Sequence, residues 1–161
     1  DLSVLLEEFG RALVPGPFIS TVVLGAVPIM LAGTDAQKEA ILPKVASGRL
    51  ILTLAFTEPS ARFDAEGVEL TATAKDGGFA LNGTKMFIPD AHVADKLVTV
   101  ARTSGSGEDG ITLFLVDNHQ AQILKTDITL HQAVRSYYNV NLARFKRLDH
   151  PCLIFPAAKS R

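Results

Sequence analysis

The sequence has few of the residues that define several protein classes: one cysteine, no tryptophan and no surplus of either charge. The single cysteine, Cys152, excludes an internal disulfide framework and fits a reducing compartment, so we expect a cytoplasmic protein. The 16 basic and 17 acidic side chains leave a net charge of −1. Because there is no basic surplus to release counterions, neither nucleic acid nor an anionic membrane surface is predicted as a partner.

Long hydrophobic runs are missing as well. Residues 18–31 are apolar but contain Pro28, and they fall short of the roughly 20 residues that a membrane-spanning helix needs. The N-terminus lacks the basic start of a signal peptide. The first residue is Asp1 rather than Met, which leads us to expect a piece of a longer protein.

The sequence also lacks the usual patterns of a metal site or a nucleophile. Its histidines do not have the spacing that brings ligands together on zinc, and none is predicted to bind metal: His92, His119, His131 and His150. GSGEDG (105–110) matches G-x-G-x-x-G, but that motif binds a dinucleotide between a strand and a helix. Here a strand is expected to follow, so we interpret the segment as a hairpin loop. No nucleophile is visibly paired with a base.

The first part of the chain predicts three helices. Apolar residues at helical spacing stop at VPGPF (14–18), where two prolines end the first helix. Residues 18–31 are apolar on most faces, as expected of a buried second helix. Thr34 and Gln37 have the spacing of a capping box, which predicts a third helix that ends at Gly48.

After Leu50 the pattern changes to short strands. GVELTATA alternates with period two, and Asp76-Gly77 and Asn82-Gly83 are typical of type I′ turns, so residues 68–89 are predicted to form a three-stranded antiparallel meander. KLVTVART and GITLFLV are two further strands, and QILKTDITL and YNVNLARF are another pair. About seven short strands favour a sandwich or barrel.

The predicted fold class is therefore α+β, with a helical segment followed by an antiparallel β-sandwich or β-barrel domain. Residues 1–48 are interpreted as the end of a helical domain, and residues 49–149 as a complete β domain.

Two short motifs are candidates for a binding site. In FTEP, Thr57 and Pro59 can simply end a strand with Glu58 exposed; alternatively, the Thr57 hydroxyl and free amides meet the polar edge of a flat ring. In KMFIP (85–89), Phe87 can be a core residue or one wall for an aromatic cofactor. Each motif alone leaves both interpretations open, but their order along the chain favours a site.

With these motifs the sequence resembles the acyl-CoA dehydrogenase family over nearly its whole length. LEEFGRALVPGPF and GTDAQKEAILPKVASGRLI resemble the last helices of the family's N-terminal domain. LAFTEP resembles its flavin strand, and LNGTKMFIPDAHVADKLVTVART and GITLFLVD resemble the segments that follow. Matches that follow the family's order with compatible spacing make the resemblance specific.

The resemblance implies helical, β and helical domains with FAD between them, and residues 150–161 would be a linker toward a C-terminal helical domain. It implies an oligomeric enzyme of fatty acid metabolism that desaturates an acyl-CoA thioester, transfers hydride to FAD and passes electrons to electron-transfer flavoprotein. The family's catalytic glutamate belongs to that C-terminal domain. No catalytic residue is therefore assigned, and the 161 residues alone are expected to be inactive.

The resemblance also implies a flavin site. Thr57 matches the family threonine that meets the pyrimidine edge of the flavin, and Phe87 matches the aromatic residue packed beside the ring. The remaining positions assigned to cofactor binding are Leu54, Phe56, Ile88 and Pro89.

Two positions depart from the family pattern. Pro89 stands where a threonine often bonds near flavin N5, and proline has neither a hydroxyl nor an N–H. Phe63 stands where the family commonly has a small hydroxyl donor, next to Arg62, whose guanidinium suits phosphate. Arg62 and Phe63 are therefore assigned to the substrate side.

These departures keep a second hypothesis open: a non-catalytic structural subunit of a two-chain acyl-CoA dehydrogenase. A third hypothesis is a β-sandwich module for an unrelated ligand, for which residues 1–48 would be dispensable.

Overall fold

A computed structural model describes residues 2–75, 78–118, 122–125, 138–141 and 154–156. Helices come first: α1 Leu2–Arg11, a π-helical segment Ile19–Ala26 that runs into α2 Val27–Ala32, and α3 Asp35–Ala46. Strands follow: β1 Leu52–Ala55, β2 Thr71–Lys75, β3 Gly78–Asn82, β4 Thr84–Lys85, β5 Lys96–Arg102, β6 Ile111–Asp117, β7 Gln122–Lys125, β8 Tyr138–Asn141 and β9 Ile154–Pro156.

The three predicted helical stretches are confirmed. The capping box of α3 forms as expected, because Gln37 N donates to Thr34 Oγ1 at 3.3 Å and Thr34 N donates to Gln37 Oε1 at 2.8 Å. Gly48 follows α3 with φ of +69°, the left-handed conformation that ends many helices. No helix in the described part of the chain is long and apolar enough to cross a membrane.

The second helical stretch packs closely against the sheet, and a small residue makes the closest approach possible. Gly25, in the π-helical segment, lies so close to β1 that a Cβ added there would overlap the Cβ of Leu52. Ile29 follows on the buried side, while Met30 and Leu31 are exposed. The sequence predicted a helix that is apolar and buried on most faces. In the structure the stretch is only half-buried.

The larger sheet is mixed and open. Its strands lie in the order β3-β2-β5-β6-β9, and β1 pairs with β5 beside β2. β1 is parallel to β5, with Leu52 opposite Lys96 and Ala55 opposite Thr99, whereas the main β2–β3, β5–β6 and β6–β9 pairings are antiparallel. The α+β class is confirmed, but the sheet is neither purely antiparallel nor a closed barrel. The segment from Phe56 to Leu70 leaves the sheet between β1 and β2.

A smaller sheet holds β4, β8 and β7 in that order. The predicted hairpin β2–β3 is confirmed by the pairing of Lys75 with Gly78; its turn, Asp76-Gly77, lies outside the described residues. The prediction of a three-stranded meander is wrong at the third strand, because β4 pairs with β8 and not with β3. Gly83 marks the change of sheet: its φ is +154°, and a Cβ there would overlap Leu70.

Apolar side chains cover both faces of the larger sheet. On one face, Leu70, Leu97 and Phe114 pack in a cluster with the β2–β3 hairpin. On the other face, side chains of the helices pack against the sheet. This second cluster consists of Ile29, Ile41, Leu50, Leu52 and Val98. Burial on both sides gives β5 and its neighbour β1 a fixed position, which the site requires.

Two further sequence predictions concern segments of the larger sheet. Residues 105–110 connect the antiparallel strands β5 and β6, so the interpretation of GSGEDG as a hairpin loop is confirmed. Within the segment 150–161 the structure describes only strand β9, which pairs with β6. The domain boundaries stay predictions. Cys152, His119, His131 and His150 lie outside the described residues.

Candidate functional site

The two candidate motifs, FTEP and KMFIP, come together at the end of β1. Met86 N donates to the carbonyl of Thr57 at 2.7 Å, which joins the segment after β4 to the segment after β1. Further along, the buried hydroxyl of Thr53 donates to the carbonyl of Pro89 at 2.6 Å. Residues far apart in sequence therefore form one surface, as their order in the chain led us to expect.

The helical half also contacts this surface. The buried Ser20 hydroxyl, in the π-helical segment, donates to Asp90 Oδ2 at 2.5 Å. Asp90 follows Pro89 in the turn after the second motif. The turn is thus bonded to β1 through Thr53 and to the helices through Ser20, so its position depends on both halves of the chain.

Beneath this surface lies a buried ion pair that the sequence analysis missed. Lys85 Nζ lies 2.6 Å from Glu58 Oε1, and the two side chains are 0% and 3% exposed. The interpretation of Glu58 as an exposed strand-end residue is therefore wrong. One signal was available: Lys85 directly precedes the apolar residues Met86, Phe87 and Ile88, and a charged side chain needs a partner if it is buried.

The Glu58 carboxylate is fully engaged by donors. Leu70 N donates to both of its oxygens at 3.1 Å, and Glu69 N donates to Oε2 at 2.9 Å. Lys85 Nζ also donates to the carbonyl of Phe56 at 3.0 Å. Burial lowers the pKa of Lys85 from its ordinary value, while the Glu58 carboxylate acts in the opposite direction.

Phe87 points outward because its backbone is unusual. Its φ is +52°, a left-handed conformation that bulky residues rarely adopt. In a regular strand Lys85 and Phe87 would share one face, but here Lys85 and Ile88 are both buried and Phe87 is 49% exposed. The core interpretation of Phe87 is therefore wrong: about half of the residue is exposed, in the segment that Met86 bonds to Thr57.

Thr57 itself is half-buried. Its carbonyl accepts from Met86 N, and its hydroxyl bonds to no other residue in the part of the chain that the structure describes. A hydroxyl held on a fixed backbone next to an exposed aromatic ring can donate to one edge of a planar polar ligand. Aromatic rings pack against such ligands through offset stacking or edge contacts.

The loop after Pro59 carries a second exposed aromatic ring. Phe63 is 76% exposed, and its ring lies nearly parallel to that of Phe56, with centroids 6.1 Å apart and an interplanar angle of 19°. Phe56, next to Thr57 in the chain, therefore links the loop to the strand end. The loop bends at Ala61, where φ is +55°.

Arg62 is occupied by carboxylates in the same loop. Its guanidinium lies 2.7 Å from Asp64 Oδ2 and 3.0 Å from Glu66 Oε2, on the protein surface. The hydrogen bond from Arg62 is the main cause that lowers the pKa of Asp64. With two acidic partners the cluster has no net positive charge to offer a phosphate. The assignment of Arg62 and Phe63 to the substrate side stays a prediction.

The remaining positions assigned to cofactor binding differ in their exposure and in their contacts. Leu54 packs toward the cluster formed by the helices and β1, and the Ile88 side chain lies in the core of the other sheet face. Pro89 is exposed, and its carbonyl already accepts from Thr53. Their assignment to cofactor binding stays a prediction. Among the described residues, no three His, Cys, Asp or Glu side chains lie close enough together to hold a metal ion.

Comparisons with known proteins agree with this arrangement. Residues 53–143 match the family model described as acyl-CoA dehydrogenase, middle domain, and residues 1–49 match the one described as acyl-CoA dehydrogenase, N-terminal domain. The first of these matches covers more than half of the chain.

Individual relatives give the same result. The chain is 41% identical over 120 residues to the 3-(aryl)acrylate reductase of Clostridium sporogenes, covering 72% of this chain and 32% of that protein. It is 38% identical over 117 residues to the caffeyl-CoA reductase–Etf complex subunit CarC of Acetobacterium woodii, covering 71% and 31%. The structure of butyryl-CoA dehydrogenase from Megasphaera elsdenii superposes with a TM-score of 0.60 at 38% identity, covering 65% and 28%. The chain thus spans about a third of the length of these proteins.

Proposed function

Because the chain belongs to the acyl-CoA dehydrogenase family, we propose that it forms the flavin-binding middle region of an FAD-dependent acyl-CoA dehydrogenase. The proposed substrate is an acyl-CoA thioester, which the whole enzyme desaturates between its α and β carbons. The observation that carries the proposal is the hydrogen bond from Met86 N to the Thr57 carbonyl, which joins Thr57 to the segment that carries the outward-facing Phe87.

The residues present fit a flavin. An isoalloxazine is a flat ring with a polar pyrimidine edge, so it needs a hydrogen-bonding group at that edge and an apolar face beside the ring. Thr57 offers a hydroxyl without a partner among the described residues, and Phe87 offers an exposed ring held by a left-handed backbone. Cofactor sites commonly combine an apolar wall with a few fixed polar groups.

The bound FAD would supply the hydride acceptor, which none of the twenty side chains provides. The residues of this chain bind and orient: Thr57 would hydrogen-bond the ring edge, and Phe87 would cover one side of the ring and keep water away from it. The Phe56–Phe63 ring pair extends the apolar surface beside Thr57. No residue of this chain is assigned the role of base for the α-proton.

Further features of the whole protein are part of the same proposal. The relative from Acetobacterium woodii is named as a subunit of a complex with Etf, which supports electron-transfer flavoprotein as the redox partner. We place the enzyme in fatty acid metabolism, in the cytoplasm and in an oligomer. Cell fractionation and size-exclusion chromatography test the last two points.

The central experiment measures flavin in the full-length protein that contains this chain. We expect bound FAD with absorbance near 450 nm, weaker FAD binding in Thr57→Val and Phe87→Ala, and unchanged binding in Thr73→Val, an exposed threonine on β2. Flavin-free protein despite added FAD, or site variants that bind FAD as well as Thr73→Val does, would contradict the proposal.

A structural subunit remains the second candidate, and one observation favours it. Pro89 has no N–H, and its carbonyl is taken by Thr53, so this position offers little to a flavin. Purifying the protein with and without its partner separates the two candidates. Flavin and acyl-CoA oxidation in this gene product alone support the enzyme, whereas flavin held only by the partner supports the subunit.

A further inference from the structure

We infer that Lys85 is a positioning residue of the proposed flavin site, and that its buried contacts with the Thr57 segment fix the Thr57 hydroxyl relative to the Phe87 ring. The inference rests on the proposed function, since it assumes that these two groups contact the flavin. It adds a role for a charged pair that is buried in the protein.

The geometry links one ammonium group to both sides of Thr57. Lys85 Nζ donates to the carbonyl of Phe56 at 3.0 Å and to Glu58 Oε1 at 2.6 Å. Lys85 itself lies two residues before Phe87, and Met86 between them donates to the Thr57 carbonyl. Two successive residues of one segment, Lys85 and Met86, are thus bonded to three successive residues of the other, 56–58.

The carboxylate extends this arrangement to β2. Glu58 accepts from the amides of Glu69 and Leu70, where the loop that leaves β1 returns to the sheet. The start and the end of that loop are therefore held by the same side chain. A shift of Glu58 would move Thr57 and would release the loop that carries Phe63.

Stability alone gives a weak reason for this pair. Burying two charges costs desolvation energy that their attraction often only balances, and well-packed apolar residues of similar volume are frequently as stable. What an apolar pair does not provide is direction: hydrogen bonds to a charged donor fix atoms at defined distances and angles. By contrast, the Lys96–Asp117 pair has side chains 34% and 36% exposed and joins two neighbouring strands.

The test uses the full-length protein, stripped of flavin and titrated with FAD. Glu58→Gln/Lys85→Met removes both charges together, so that no unpaired charge remains buried. Val116→Ala, in the apolar core on β6, serves as a control that lowers stability without removing a hydrogen bond between the Thr57 and Phe87 segments, and Lys96→Met controls for loss of an ion pair. Each variant is measured at a temperature a fixed number of degrees below its own Tm, so that both are compared at similar stability. Under these conditions we expect the double variant to bind FAD at least about tenfold more weakly than Val116→Ala.

A second readout follows the bound flavin. We expect the visible circular dichroism of the flavin to change in the double variant and to stay the same in both controls. The inference is overturned if the double variant and Val116→Ala bind FAD equally well with the same spectrum. Failure of the unsubstituted protein to bind FAD would instead overturn the proposed function.

A measurement on the unsubstituted protein covers the case in which the double variant does not fold. If Lys85 holds the two segments in place beforehand, the Met86 amide, which donates to Thr57, should be protected from hydrogen exchange in the flavin-free protein as strongly as in the FAD-bound protein. Free exchange of this amide before FAD is added would show that the segments are not held together, and would overturn the inference.

Discussion

Substitution of Lys85 by Met should be the most destabilising single change among the ion pairs of the described residues. It leaves the Glu58 carboxylate 3% exposed, with two backbone amides as donors but no counter-charge. Breaking one side of a buried pair typically costs about 3–5 kcal/mol, because the remaining charge stays desolvated. For a domain of this size that corresponds to a fall in Tm of roughly 6–20 °C.

Urea unfolding followed by circular dichroism measures this loss directly. Lys96→Met is the matched control: it also removes a lysine from an ion pair, but the Lys96–Asp117 pair is about one third exposed and should cost only about 0–1 kcal/mol. The double variant Glu58→Gln/Lys85→Met should recover most of the loss, because it leaves no unpaired charge. If Lys85→Met costs no more than Lys96→Met, or if the double variant is no more stable than the single one, the reasoning is wrong.

Two smaller changes test other contacts. Gly25→Ala should lower the free energy of unfolding by about 1–3 kcal/mol, because its new methyl group overlaps Leu52, whereas Gly10→Ala on the exposed helix α1 should raise it by up to about 1 kcal/mol; equal effects on the two Tm values would contradict the close packing. Arg62→Gln should raise the pKa of Asp64 toward its ordinary value, as measured by NMR titration. Since the pKa is lowered in the folded protein, the pair contributes stability above the ordinary pKa of the carboxyl group and loses it as the pH falls through the folded value. Arg62→Gln should therefore reduce stability at neutral pH, and this loss should become smaller as the pH falls through the folded pKa of Asp64; a loss that does not change with pH would argue against the ion pair.

Local signals predicted the local structure well. The capping box of Thr34 and Gln37 depends on residues three apart, and it forms as the sequence indicates. The β2–β3 hairpin depends on alternation around a two-residue turn, and its register is the expected one. In both cases the interacting residues are close in sequence, so their spacing contains the information that determines the contact.

The pairing of strands far apart in sequence could not be predicted from local spacing. Asn82-Gly83 has the letters of a type I′ turn, but Gly83 passes over Leu70 and the chain enters a second sheet. The choice between a hairpin and a change of sheet depends on which strand is available as a partner for β4. That partner is β8, more than fifty positions further along, and no pattern around Asn82 reports its presence.

The candidate site shows how a local pattern fails when distant contacts override it. Strand alternation places Lys85 and Phe87 on one face, and a lysine there suggests an exposed face. In the structure Lys85 is buried instead, because the Glu58 carboxylate supplies its counter-charge. Once Lys85 is buried, Phe87 can reach the surface only if the backbone turns, and its φ of +52° is that turn. A conformation that costs of order 1–3 kcal/mol persists only where the surroundings enforce it. The left-handed backbone at Phe87 therefore accompanies the burial of Lys85 against Glu58, and a flavin contact at Phe87 depends on an ion pair that the sequence pattern of KMFIP alone does not reveal.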